Sequence, residues 1–169
     1  VAVGAMTILT SIMQFALLPL NGLGQGAQPI SSYNFGARNV GRVKKTFRLL
    51  LTVSLIYSAA LWGCLMVFPE VFVRIFTPKE ELVSFATGAL RIYCAVLCIF
   101  GIQIACQMTF ISIGNAKSSI IVAVVRKFVL LLPLIYLMPA LMADKAMAVY
   151  TAEPVADLLA VSFTAILFT

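Results

Sequence analysis

Between Leu49 and Pro69 the chain carries no charged side chain, and the same holds from Ile92 to Ile113. A helix needs roughly 20 predominantly apolar residues to cross a hydrocarbon layer about 30 Å thick. Inside that layer only helices and closed barrels can satisfy their own backbone. Runs of this length therefore select the solvent before they select a fold. Composition agrees: 62% of the residues are hydrophobic and 11% are charged, whereas a soluble domain carries about a quarter charged residues. The expectation is an all-α membrane protein. Five spans can be drawn, over about 1–33, 46–68, 82–113, 118–142 and 146–168, each near the length a bilayer helix requires. The short connections make neighbouring spans antiparallel.

The longest departure from a lipid-like composition is Asn21 to Arg48, a Gly/Pro-broken polar segment followed by Arg38, Arg42, Lys44, Lys45 and Arg48. Basic residues collect on the cytoplasmic side of membrane helices. With the Arg38–Arg48 loop placed there, the turn at Gly114–Lys117 falls on the same side. Eight Lys/Arg then face inward: those five with Lys117, Arg126 and Lys127. Arg74, Lys79, Arg91 and Lys145 lie outward, beside Glu70, Glu80, Glu81 and Asp144. Between Pro69 and Pro78, VFVRIFTP reads as an amphipathic loop on the outer surface. No internal repeat is visible.

Charge and residue content also exclude. The net charge of +6 is accounted for by orientation in a membrane, so no nucleic-acid partner is expected. There is no His, which removes the commonest general base and metal ligand. Cys64, Cys94, Cys98 and Cys106 lie in apolar runs without CxxC spacing and read as small buried side chains. No metal site, no cofactor and no enzyme chemistry is expected. GLGQG is no phosphate loop, because no Gly-Lys-Ser/Thr follows it and no strand precedes it.

Polar residues inside the spans are the candidates for function. Gln14, Asn21, Gln25, Gln28 and Ser32 share one helical face on a span loosened by Pro19, Pro29, Gly22, Gly24 and Gly26. Amides facing lipid are unsatisfied. That face therefore meets other helices, as ordinary interhelical hydrogen bonding, or a gated cavity. Tyr93, Val96, Phe100, Gln103 and Gln107 share a face of the third span, which suits bulky organic ligands as well as packing. In the fifth span Glu153 and Asp157 stand one turn apart in an apolar helix, and intramembrane acids mark function by default. Asp157 is about 15 Å from the outer end and Arg126 about 12 Å from the inner end, at 1.5 Å per residue. In a core about 30 Å thick these depths nearly coincide, so an Arg126–Asp157 ion pair is a candidate structural contact. Glu153 lies about 6 Å shallower and has no matched deep base except Arg91 nearer the surface. An acid so placed can carry protons, and Glu153 and Asp157 are the ion-coupling candidates.

Three stretches, GLGQGAQPISSYNFGARNVGRVKK, FISIGNAKSSIIVAVVRKFVLLLPL and VYTAEPVADLLA, resemble in order and spacing the carboxy-terminal lobe of the multidrug and toxic compound extrusion (MATE) transporters, in a bacterial member. The resemblance covers essentially the whole chain. It implies five transmembrane helices of a six-helix MATE-type carboxy-terminal lobe, the eighth to twelfth of a twelve-helix transporter, so that residues 1–169 are a partial lobe. Because the chain starts without Met and both ends fall within apolar stretches, it reads as a piece of a longer protein. The resemblance further implies a multi-pass protein of the bacterial plasma (inner) membrane that exports small organic cations by H⁺ or Na⁺ antiport. Its partners are then the lipid bilayer and a missing amino-terminal lobe of the same protein. Residues Asn21–Asn34 border the cavity in this reading, and Gln28, Asn34, Tyr93, Gln103 and Gln107 are the substrate-binding candidates. Some members of the family carry a coupling acid on the tenth helix; here Leu82 to Ile113 has none beyond its start. Coupling then uses Glu153, Asp157 or a helix outside this chain. The alternative of a related fold is a flippase for lipid-linked cell-envelope precursors, which calls for several cavity-facing bases. A purely structural assembly subunit has no need for broken helices and buried acids.

Overall fold

The structure, a computed structural model, describes residues 2–141 and 145–168. Val1, Met142, Asp144 and the side chain of Lys145, to which the sequence reading assigns a span end or a membrane side, lie outside the described residues. The chain runs α1 (Ala2–Gly36), α2 (Val40–Val67), α3 (Pro69–Phe76), α4 (Glu80–Tyr93), α5 (Phe100–Ser112), α6 (Ala116–Val124), a π-helical stretch (Val125–Leu131), α7 (Leu132–Leu141) and α8 (Lys145–Phe168). No strand occurs among the described residues. Four helical stretches are long and apolar enough to cross a membrane, and α4 with α5 makes a fifth crossing if the bent pair is counted as one.

Helix α1 runs unbroken through Pro19 and Pro29. The basic stretch is not a loop. Only Ala37–Asn39 leaves the helix, because the chain closes α1 with two tight backbone bonds, from Arg38 N–H to the Phe35 carbonyl and from Asn39 N–H to the Asn34 carbonyl. This is the bond pair of a Schellman motif. Asn39 then caps α2 by accepting from the Arg42 N–H at 3.3 Å, and Arg and Lys are good helix formers. The α5–α6 turn repeats the device. Asn115 N–H bonds the Phe110 carbonyl, Gly114 N–H bonds the Ile111 carbonyl, and Asn115 caps by accepting from the Ser118 N–H. The left-handed position is Gly114 (φ 76°) in one turn and Arg38 (φ 56°) in the other. Both turns stand at one end of the bundle, since α1 and α5 run parallel: Gly24 lies against Met108 and Ser32 Oγ donates to the Ser112 carbonyl.

At the other end, the segment expected as a loop is the short helix α3. Pro69 opens it, at a position where a missing N–H leaves no helical bond unmade. Arg74 ties α3 to α4 by donating to Glu70 at 2.8 Å and Glu80 at 3.0 Å, which holds the guanidinium above its usual pKa.

The third span is broken rather than straight. After Tyr93 the backbone changes to i→i−3 bonds, through Ala95 to Ile92, Leu97 to Cys94 and Ile99 to Val96, and α4 and α5 meet at 45°. No proline forces this. The bend presses α5 onto α2, where a Cβ on Gly101 would stand 2.7 Å from the Ser54 carbonyl carbon and oxygen. The interior packs Leu9, Leu20, Leu65, Leu90, Tyr93, Leu97 and Phe100 around this junction.

Gly101→Ala is expected to force α2 from α5 and cost about 1–3 kcal/mol as an overpacked contact, read as a lower unfolding midpoint in detergent. Arg38→Gly removes a Cβ from a left-handed position and is expected to gain about 1 kcal/mol or less, raising the same midpoint.

Candidate functional site

Arg126 and Lys127 are consecutive residues of the π-helical stretch, and Glu153 and Asp157 are one turn apart on α8. On a regular helix consecutive side chains diverge by about 100°, so two neighbours do not easily serve acids stacked on one facing helix. The wider π turn brings them closer in angle. Its i→i−5 bonding is seen in the Leu132 N–H donating to the Lys127 carbonyl. Pro133 follows directly and has no N–H to return to this turn. Between the two acids Pro154 removes the helical bond to the Tyr150 carbonyl, so backbone is loosened on both sides of the cluster.

The two pairs are unequal. Arg126 Nε and Nη2 both lie on Asp157 Oδ1, at 2.8 and 2.7 Å. The Asp157 side chain is 5% exposed, and the Arg126 guanidinium stacks over the Phe100 ring at 4.8 Å. An arginine held by a carboxylate and an aromatic face is a rigid contact. Lys127 Nζ, by contrast, stands 3.8 Å from Glu153 Oε1, beyond hydrogen-bond reach, with the lysine side chain 55% exposed. The deep partner of Glu153 is therefore Lys127, and the expectation that only Arg91 could serve is corrected; Arg91 is exposed on α4. Around the loose pair lies a hollow of about 220 Å³ lined by Thr10, Met13, Gln14, Leu17, Tyr93, Arg126, Lys127 and Glu153.

The remaining sequence candidates are placed apart from this hollow. Gln28 is half-buried on the α1 stripe between Gly24 and Ser32, the two residues that meet α5. Asn34 is buried and donates its amide N–H to the Ile30 carbonyl. Gln103 is 2% exposed, and its Oε1 has no hydrogen-bond partner among the described residues. The helix break between Tyr93 and Gln103 resets the periodicity that put them on one face. Gln107 is half-buried. Of the substrate-binding candidates only Tyr93 lines the charged hollow, while Thr10 and Gln14, from the opening turns of α1, complete it. Gln14 belongs to the polar stripe read from the sequence. Thr10 had a signal too, since it sits one turn before Gln14 on that face. The four free cysteines form no pair, and no metal-holding cluster of acids and cysteines occurs among the described residues.

A bent, broken-helix bundle with paired charges at membrane depth defines a multi-pass membrane protein of the transporter kind. The chain belongs to the MatE family, whose model matches residues 1–137. It is 26% identical over 141 residues to the multidrug export protein MepA of Staphylococcus aureus, covering 83% of this chain and 31% of that protein. It superposes with a TM-score of 0.87 and 32% identity on the MATE multidrug transporter DinF-BH, solved in complex with a small organic ligand, over 98% of this chain and 36% of that one. A MATE structure in a bent conformation shares the fold at a TM-score of 0.91 with 16% identity. The chain thus spans about a third of the length of the relatives it matches. In a bacterium such a multi-pass protein sits in the plasma (inner) membrane.

Breaking the tight pair by Asp157→Asn leaves Arg126 buried without its counter-charge and is expected to cost about 3–5 kcal/mol. The double change Arg126→Met with Asp157→Leu is expected to recover most of that, both read as unfolding midpoints in detergent. Lys127→Gln, at a half-exposed partner, is expected to cost about 1 kcal/mol or less.

Proposed function

We propose that this chain is part of a secondary-active multidrug exporter, supplying five of the six helices of a carboxy-terminal lobe that works with an amino-terminal lobe of the same protein. Cargo is a small organic cation, moved by alternating access against an inward flow of H⁺ or Na⁺. Family membership supports the transporter reading, as do the names of MepA and DinF-BH, and nothing in a transport cycle of this kind requires a cofactor or enzyme chemistry.

The observation that carries the coupling proposal is the inequality of the two ion pairs. Asp157 is fully engaged by Arg126 and acts as a structural strut. Glu153 faces Lys127 across 3.8 Å in a polar hollow and is free to change state. Protonating Glu153 removes the attraction that holds Lys127 toward α8. The lysine then turns to the hollow, and the loosened turns at Pro133 and Pro154 can shift. A ligand drives such a change only by binding one conformation better than the other. The coupling ion favoured at this cluster is H⁺. A proton needs one acceptor oxygen, whereas Na⁺ needs several and would sit beside the Lys127 ammonium and the Arg126 guanidinium.

For the cargo, Tyr93 and the mouth of the hollow offer an aromatic face for a delocalised cation. Gln28 and Gln107, half-buried along the α1 and α5 side, supply amides farther toward the basic end. Gln103 and Asn34 lie in the packed interior and shape the wall. The flippase alternative gains no support from the cluster, because both deep bases already face acids and leave no uncompensated positive cavity for a pyrophosphate.

The test uses the full-length transporter in sealed vesicles, following efflux of a fluorescent organic cation under separately imposed H⁺ and Na⁺ gradients. A pH gradient is expected to drive efflux, and Glu153→Gln to lower the driven rate at least about tenfold with protein yield unchanged, in line with removal of an essential proton acceptor. Gradient-driven efflux that survives Glu153→Gln at the parental rate would remove this acid from the coupling step.

A further inference from the structure

At the end of the bundle that carries the two Asn-capped turns, a second hollow of about 270 Å³ opens between α1, α2 and α5, lined by Phe35, Val40, Val43, Lys44, Phe47, Thr109 and Ile113. Its walls are apolar apart from Lys44 and the Thr109 hydroxyl, and that hydroxyl already donates to the Ala105 carbonyl at 2.7 Å. Val40, Val43, Lys44 and Phe47 form one stripe of α2, at the i, i+3, i+4, i+7 spacing of a single helical face. Lys44 is therefore the residue that joins the hollow to the basic surface.

That surface is dense and uncompensated. Arg38, Arg42, Lys44, Lys45 and Arg48 are all exposed, as is Lys117 one turn beyond Ile113. None of these six forms an ion pair among the described residues, where the acids lie elsewhere: Glu70, Glu80 and Glu81 toward the opposite end, Glu153 and Asp157 in the charge cluster. Orientation in the membrane explains why bases lie on this side. It does not explain why an apolar recess opens directly beneath them.

We propose that this recess is a binding site for one anionic phospholipid, with an acyl chain in the hollow and the phosphate among Lys44, Arg48 and Arg42. Two features carry this choice of occupant. A hollow with no free polar group of its own wall suits hydrocarbon, and basic residues beside a membrane helix each attract an anionic headgroup. Arg48, one turn deeper than Lys44 on the same stripe, reaches back toward the interface as long basic side chains do. The bound lipid bridges the α1–α2 turn and the end of α5, the two places where the Schellman turns fix the helix ends.

The experiment measures lipid retention by the purified full-length transporter in detergent, by native mass spectrometry with phosphatidylglycerol and phosphatidylcholine of the same chains. Phosphatidylglycerol is expected to bind at least about tenfold more tightly. Lys44→Gln with Arg48→Gln is expected to weaken it about fivefold for each charge removed, while Lys79→Gln at the opposite end leaves it unchanged. Val43→Trp fills the hollow without touching a charge and is expected to abolish tight retention. Should that variant fail to yield monodisperse protein, Val43→Phe gives a smaller filling with a proportionate loss. Equal retention of both lipids, or undiminished phosphatidylglycerol binding in the double variant, would overturn the proposal. So would full competition by glycerol 3-phosphate, which would show that only the headgroup is recognised.

Discussion

Two guanidinium nitrogens of Arg126 resting on one oxygen of Asp157 fix the face that the π-helical stretch presents to α8. In a low-dielectric setting either charge alone is prohibitive, so each exists only because the other does. Phe100 closes the far side of the guanidinium, and it reaches that place only because α4 and α5 meet at a bend. The break in the third crossing, the wide turn before Pro133 and the pair of acids on α8 are thus one arrangement. With the strut in place, its neighbour can be weak: Lys127 and Glu153 need not hold the helices together, which leaves them able to separate.

The ends of the bundle are built on a different principle. Backbone bonds of the Schellman type and an Asn cap at Asn39 and Asn115 satisfy the helix ends, so the connections are short and the basic residues can start α2 instead of occupying a loop. Their charge then lies on a rigid helix face beside an apolar recess. At the opposite end Arg74 does the corresponding work by joining α3 to α4 through Glu70 and Glu80.

Much of this was legible in the sequence because hydrocarbon is an unforgiving solvent. Uncharged runs announced the membrane helices, and two acids one turn apart in an apolar segment announced the charged site. Depth counting also brought Arg126 opposite Asp157, since helical rise is constant and neighbouring crossings are antiparallel. The same ladder, moved one residue outward on one side and one turn on the other, points from Lys127 to Glu153. It went unread because an ordinary helix turns consecutive residues apart, and the π turn that relaxes this has no signal beyond Pro133. The bend after Tyr93 was equally hidden, for no proline or glycine marks it, and it moved Gln103 from an expected open face into the interior. Composition misjudged the basic stretch: charge suggested a loop where capping and helix propensity made a helix.

The central claim is that Glu153, not Asp157, changes protonation within this cluster. Infrared difference spectroscopy of the full-length transporter tests it most directly, by following the carboxylic-acid carbonyl band as the pH is lowered. The account predicts a band in the parent protein that is missing from Glu153→Gln while the protein remains folded. An identical band in both would contradict it and place the titrating acid elsewhere in the transporter.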